Sequence, residues 1–260
     1  MSQAGELILE KHHDPIGARI GMWLFLFTEL LLFGGLFLLY AIYLNKYPEE
    51  FHFASSQLDQ FVGAMNTLIL LTSSLTMVLS VGSLQRQKRN LAILFLVITF
   101  LLGAAFLVNK YFEWGHKISH GIYPGSAELM LHPKGEIMFY GLYYSMTGLH
   151  GLHVLVGMII MLFLWYFLSK KTHTAVSLKG EALESFSGKI LTLADDTGRN
   201  IWKSSTLGEN ISQIEVTVKG EISEETMLSN EVKLHNSGLY WHLVDIIWIF
   251  LFPLFYLIAM

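Results

Sequence analysis

RIGMWLFLFTELLLFGGLFLLYAIY, residues 19–43, decides the fold. After Arg19 it carries one charged side chain, Glu29, in an otherwise apolar run. A helix needs about 20 such residues to cross about 30 Å of hydrocarbon, and this stretch is longer. Four further runs match it: Phe61–Leu84, Leu91–Phe112, Ile137–Leu168 and Leu239–Met260. The fourth span, Ile137–Leu168, is the longest, so it is tilted or its first turns stand outside the bilayer. Of 260 residues, 53% are hydrophobic and 15% charged, with a mean hydropathy of +0.47. So few charges cannot cover that much apolar surface in water. The expected fold is an all-α polytopic membrane protein with five transmembrane helices.

Composition narrows the function classes. A net charge of −4 is too mild for a nucleic-acid partner. There are no cysteines, which excludes disulfides, thiolate-bound zinc or iron–sulfur, covalently attached haem and a thiolate copper site in this chain. Residues 1–18 are polar and lack the apolar core of a cleaved signal, so the first span reads as a retained anchor.

Orientation follows from the basic residues beside the spans. Lys11, Arg19, Arg86, Lys88, Arg89, Lys170 and Lys171 fall on one side, and Lys46, Lys110, Lys117 and Lys134 on the other. The richer side is cytoplasmic by the positive-inside rule, which puts the N-terminus inside and the C-terminus in the periplasm. Trp23, Tyr43, Trp114, Trp165, Tyr166 and Trp241 near the span ends read as an aromatic belt. The expected organisation is a cytoplasmic tail (1–18), helices one to four (19–171), a β-rich cytoplasmic insert (172–237) and helix five (238–260). Within the insert, GKILTLADDTGRNIW reads as strand–turn–strand about Asp195–Gly198, and IEVTVKGEI alternates with a strand period. The acidic turn lacks the ligand spacing of a calcium loop and reads as an ordinary turn.

Polar side chains inside spans are costly and ask for partners. They are Glu29, Asn66, Ser73, Glu113, His150, His153, His242 and Asp245, with Ser80 extending an Asn66–Ser73 stripe at seven-residue spacing. At 1.5 Å per residue, Glu29 lies about 15 Å from the cytoplasmic end, His153 about 22 Å, His150 about 27 Å and Glu113 about 33 Å. His242 and Asp245 come out at about 5 and 9 Å. No two histidines on facing spans share a depth, so a bis-histidine haem has no place. Glu113 and His150 are close in depth, so a buried Glu113–His150 hydrogen bond is expected. The Asn66–Ser73–Ser80 stripe reads as interhelical hydrogen bonding rather than a transport path. Gly141, Ser145, Gly148 and Gly151 form a small-residue face of span four for backbone approach, with both histidines on the other side and Gly157 beneath. Glu29 reads first as a carboxyl hydrogen-bonded to a carbonyl or neighbouring helix, and second as a proton-responsive group.

These motifs together resemble subunit III of the haem–copper respiratory oxidases, the cytochrome c and quinol oxidases. RIGMWLFLFTELLLFGGLF is similar to the family helix with an embedded glutamate, here Glu29. MNTLILLTSSLTM resembles its Asn-Thr and Ser-Ser helix, through Asn66, Thr67, Ser73 and Ser74. YFEWGHKISHGIYPG resembles its Glu-aromatic segment at Glu113. TGLHGLHVLVG matches its His-Gly-Leu-His at His150 and His153, and YWHLVDIIWIFLF its last helix at Trp241, His242, Asp245 and Trp248. The resemblance touches all five spans. It departs in lacking the two leading helices of seven-helix members, which makes this the five-helix bacterial form, and in the 172–237 insert.

The resemblance implies a non-redox accessory subunit in a bacterial inner (plasma) membrane. It would stabilise catalytic subunit I and sustain proton uptake, with subunit II and other respiratory subunits as further partners. No cofactor, metal or catalytic residue is expected in this chain; haem and copper belong to the partner subunits. Family phospholipid lies beside the two missing helices, so a bound lipid here would need a wall from another subunit. The residues do not choose between cytochrome c, quinol and a nitric-oxide-reductase-associated paralogue. A small transporter, the reading from another class, predicts paired broken helices and inverted repeats, and neither is visible in the sequence.

Overall fold

The computed structural model describes residues 15–169, 174–179, 188–194, 200–206, 213–218 and 224–258. Five helices are long and apolar enough to cross a membrane. They are α1 (Pro15–Lys46), α3 (Gln60–Gln85), α4 (Arg89–Ser119), α5 (Lys134–Ser169) and α6 (Glu224–Phe252). A short helix, α2 (Pro48–Ser56), follows α1.

Local chemistry sets several ends. Pro15 opens α1, where a missing N–H costs nothing. Asp59 caps α3, its Oδ1 accepting from the N–H groups of Phe61 and Val62 at 2.9 and 3.2 Å. Gly121, at φ +73°, stops α4: Ile122 N–H donates to Lys117 O and Gly121 N–H to Ile118 O, which closes the last turn. Helix α2 has Pro48, Glu49 and Glu50 in its first turn and turns Phe51 inward onto Tyr40 and Phe139.

The last transmembrane helix is the central one. Every seventh residue of its inner face, Leu234, Trp241, Trp248 and Phe255, is fully buried. Each tryptophan N–H finds a hydroxyl on α3: Trp241 Nε1 donates to Ser73 Oγ at 3.0 Å and Trp248 Nε1 to Thr67 Oγ1 at 3.1 Å. Helix α1 meets the same helix through Phe25–Tyr240 and Phe37–Phe250 ring contacts. At Pro253 the missing N–H breaks the regular ladder, and the backbone widens into a π turn over Pro253–Leu257. Carbonyls there are taken from outside: Tyr40 donates to Leu254 O, and Ser55 to Phe255 O at 2.7 Å.

Four strands lie in a separate compact unit, Lys171–Glu224. β1 (Thr174–Lys179) pairs antiparallel with β4 (Gln213–Val218), and β2 (Ile190–Ala194) with β3 (Asn200–Thr206). The expected acidic turn at Asp195–Gly198 and residues 1–14 of the tail lie outside the described residues.

Two expected boundaries shift. The expected insert ends at residue 237, but α6 is helical from Glu224, so its polar segment continues the helix beyond the apolar run. That polar start is still packed, since Asn230, Val232, Leu234 and Ser237 are buried. Helix α1 likewise starts at Pro15 rather than Arg19. The small-residue face of α5 also differs in detail. Gly148 faces the Trp114 ring and Gly151 faces Leu107, so side chains of α4 fill it rather than a backbone. Gly141 has nothing against it, and Ser145 is exposed.

Candidate functional site

The polar side chains within the bundle form several small networks. The most highly charged joins α4, α5 and the end of α6. Lys110 and Glu113 are three residues apart, which places them on one face of α4. Lys110 Nζ is 3.1 Å from Glu113 Oε2, and both side chains are under a tenth exposed. The same ammonium donates to the Tyr143 hydroxyl at 3.1 Å and the Tyr256 hydroxyl at 2.9 Å. Both hydroxyls in turn donate to Glu113 Oε1. Rings of Tyr143, Trp248 and Tyr256 stand 5.0, 5.3 and 5.6 Å from the ammonium, so its remaining hydration is replaced by π faces. Every charge here has a partner, the condition under which a buried ion pair is tolerated.

The expected Glu113–His150 bond is therefore absent. Glu113 is engaged by Lys110 and the two tyrosines. His150 is fully buried, with Phe106 edge-on at 5.4 Å and Trp248 at 5.3 Å. Neither of its ring nitrogens has a hydrogen-bond partner among the described residues.

His153 is the histidine that pairs. Its Nε2 lies 2.8 Å from Glu29 Oε2, and its Nδ1 lies 2.7 Å from Leu149 O. A carbonyl can only accept, so Nδ1 carries a hydrogen. One proton then sits between Nε2 and the carboxyl, giving either a neutral acid–imidazole pair or an ion pair. The net charge is zero in both, which makes the pair tolerable at mid-membrane. Phe33 packs edge-on at 5.5 Å, and Tyr240 donates to His153 O at 3.0 Å. The depth estimate missed this partner because it began α1 at Arg19. Counted from Pro15 and from Ser169, Glu29 and His153 lie about 21 and 24 Å deep, level to within a turn.

The remaining polar positions, Asp245 excepted, bond between helices. Asn109 Nδ2 donates to Asn66 Oδ1 at 2.9 Å, tying α4 to α3. Ser73 receives Trp241, and Ser80 Oγ donates to Ala92 O at 2.7 Å. A Thr76–Thr99 hydroxyl contact at 2.8 Å lies between them. His242 Nδ1 is 2.6 Å from Ser74 Oγ. Asp245 is buried beside Ser74, and neither carboxyl oxygen makes a hydrogen bond of full geometry with a described partner.

Sequence reasoning missed Lys110, Tyr143 and Tyr256 as members of the charged network. In the sequence Lys110 reads as one of the flanking charges outside the membrane. The signal that could have found it is its i,i+3 spacing to Glu113. No three His, Asp or Glu side chains among the described residues come together as a metal-holding group. The arrangement can lock helices and hold protons.

A prediction separates the two histidines. His150→Phe is expected to change stability by under about 1 kcal/mol or to raise it, because an unpartnered buried polar group is removed. His153→Phe strands the Glu29 carboxyl and should cost about 1–3 kcal/mol. Melting curves of the detergent-solubilised variants check this; equal losses would contradict the assignment of the pair.

Comparison with known proteins agrees with this inventory. The family described as Cytochrome c oxidase subunit III matches residues 6–180. The chain is 26% identical over 250 residues to Cytochrome c oxidase subunit 3 of Thermostichus vulcanus, covering 95% of this chain and 90% of that one. It is 27% identical over 241 residues to the protein of the same name from Bacillus sp. (strain PS3), covering 93% and 86%. It is 22% identical over 260 residues to the Probable quinol oxidase subunit 3 of Staphylococcus epidermidis (strain ATCC 35984 / DSM 28319 / BCRC 17069 / CCUG 31568 / BM 3577 / RP62A), covering 100% and 98%. With five spanning-length helices and a family match over most of its length, the chain belongs to the cytochrome c oxidase subunit III family.

Proposed function

We propose that the chain is a non-redox accessory subunit of a terminal haem–copper oxidase, packing on the catalytic subunit and stabilising it during oxygen reduction. The observation that carries this reading is where the polar groups go. Glu29, Asn66, Ser73, Glu113, His153 and His242 are each bonded to another helix of the same bundle. A bundle that commits most of its polar groups to its own helices in this way, His150 and Asp245 excepted, is a scaffold, and the redox chemistry belongs to the neighbours. Haem and copper are assigned to those neighbours, with subunits I and II as the partners.

The outer surface suits such packing. Helix α1 leaves Leu24, Phe27, Leu31 and Leu38 exposed, and a β-carbon added at Gly34 or Gly35 would meet no atom of another described segment within 4 Å. Small residues on an apolar face let another helix approach closely. The N-terminus is assigned to the cytoplasm and the C-terminus to the periplasm of a bacterial inner membrane. Burial of Lys110 in an ion pair supports this, because it removes one cation from the periplasmic tally and deepens the basic bias. The stranded unit between α5 and α6 then lies on the cytoplasmic side. Of the two readings of Glu29, the structural one is favoured by its pairing with His153.

Gentle solubilisation tests the proposal. The chain should co-migrate with larger subunits, and the assembly should carry the haem spectrum. The purified lone polypeptide holding iron or copper stoichiometrically, or moving solute into vesicles unaided, would overturn it.

A further inference from the structure

The last turn of α4 carries His116 and His120, spaced as His-Lys-Ile-Ser-His. Neither belongs to the buried networks, and both side chains are exposed. Four-residue spacing puts two imidazoles on one helix face, the arrangement by which helical histidine pairs hold a divalent ion.

Three observations point to a ligand. The ring centroids stand 4.6 Å apart with planes at 57°. Zinc–nitrogen bonds are about 2.0–2.1 Å, and the ring centre lies about 1.1 Å beyond the nitrogen. Two imidazoles on one ion at an angle of about 90–110° therefore have centroids about 4.5–5.2 Å apart. The observed separation falls in that window. Second, His120 is set in a ligating tautomer. Its Nδ1 is 2.8 Å from His116 O, which can only accept, so Nδ1 bears the hydrogen and Nε2 keeps its lone pair. Ser119 Oγ donates to the same carbonyl at 2.7 Å and lies 3.3 Å from Nδ1. Third, His116 lines an open cavity of about 550 Å³ that also contains Asp59 and Glu113. The opposing cation in that cavity, Lys117, is committed to Gln57 O at 3.2 Å and sits over the Tyr140 ring.

We propose that His116 and His120 form a binding site for one borderline divalent transition-metal ion, of the Zn2+ or Cu2+ kind, with water completing the coordination. Imidazole is the preferred donor for such ions, and two suffice for a partly hydrated site. An ion held there bridges the last turn of α4 and so favours the folded helix end.

The test is calorimetric titration of Zn2+ into metal-stripped full-length protein in detergent, repeated with His116→Gln, His120→Gln and, as control, the exposed His52→Gln. The wild type and the His52 variant should share one site whose affinity falls at least about tenfold in each of the other two. Zn2+ should raise the melting temperature of the wild type and leave that of the His116→Gln/His120→Gln double variant unmoved. Cu2+ resonance spectra should report two nitrogen ligands in the wild type and one in His120→Gln. Equal Zn2+ affinity in all the single variants, or equal nitrogen coupling in wild type and His120→Gln, would overturn the site.

Discussion

Lys110→Met is expected to destabilise the bundle by about 3–5 kcal/mol, among the largest single-residue effects in this chain. The cost comes mainly from what is left behind. Glu113 would keep two tyrosine donors on Oε1 but lose the cation facing Oε2, and a carboxylate would stand in a site under a tenth exposed. Glu113→Gln strands the ammonium instead, and its loss should be of similar size. The double variant Lys110→Met/Glu113→Gln removes both charges and should recover most of the stability, because a neutral, well-packed replacement of a buried pair is often no worse than the pair. Thermal melting of all four proteins in one detergent gives the coupling directly. If the two single losses merely add in the double variant, Lys110 and Glu113 do not act as a pair.

This cluster also marks where the sequence stopped being readable. The spans were legible because bilayer thickness fixes a length, and five apolar runs met it. Partners were not, because pairing depends on depth to within one helical turn. A four-residue error in the start of α1 amounts to about 6 Å, enough to hide the match of Glu29 with His153. Glu113 and His150, given as neighbours, are separated by about 8 Å when counted from Arg89 and Ser169. Lys110 misled for another reason: a lysine near a span end ordinarily snorkels to the interface, and only its spacing to Glu113 hinted otherwise. The helical start of α6 was hidden because its sequence from Glu224 to Ser237 is too polar to read as part of an apolar span. In contrast, the seven-residue repeat of Asn66, Ser73 and Ser80 was visible, since a helical stripe needs no depth estimate.

The same seven-residue logic on α6 supports the second large effect, at Trp241. Its indole is fully buried between two glycines on different helices. A β-carbon added at Gly103 would stand 2.8 Å from Trp241 Cη2, and one added at Gly157 would stand 2.9 Å from its Cε3 and Cζ3. Both distances are too short for carbon atoms in contact, so the glycines form a socket that a side chain would fill. Gly157→Leu should cost at least about 1–3 kcal/mol through overpacking, and Trp241→Ala about 3–5 kcal/mol through the cavity left behind. Trp241→Phe divides the latter value: it keeps a ring in the socket but deletes the bond to Ser73, so about 1 kcal/mol of its loss belongs to the hydrogen bond. Gly141→Leu is the control, because nothing lies within 4 Å of that position in the isolated chain. Melting of the detergent-solubilised single chain should separate the socket variants from this control, and equal losses at Gly141 and Gly157 would refute close packing around Trp241. If Gly141→Leu leaves the lone chain intact yet lowers recovery of the assembled oxidase, that open face of α5 is where a partner helix approaches.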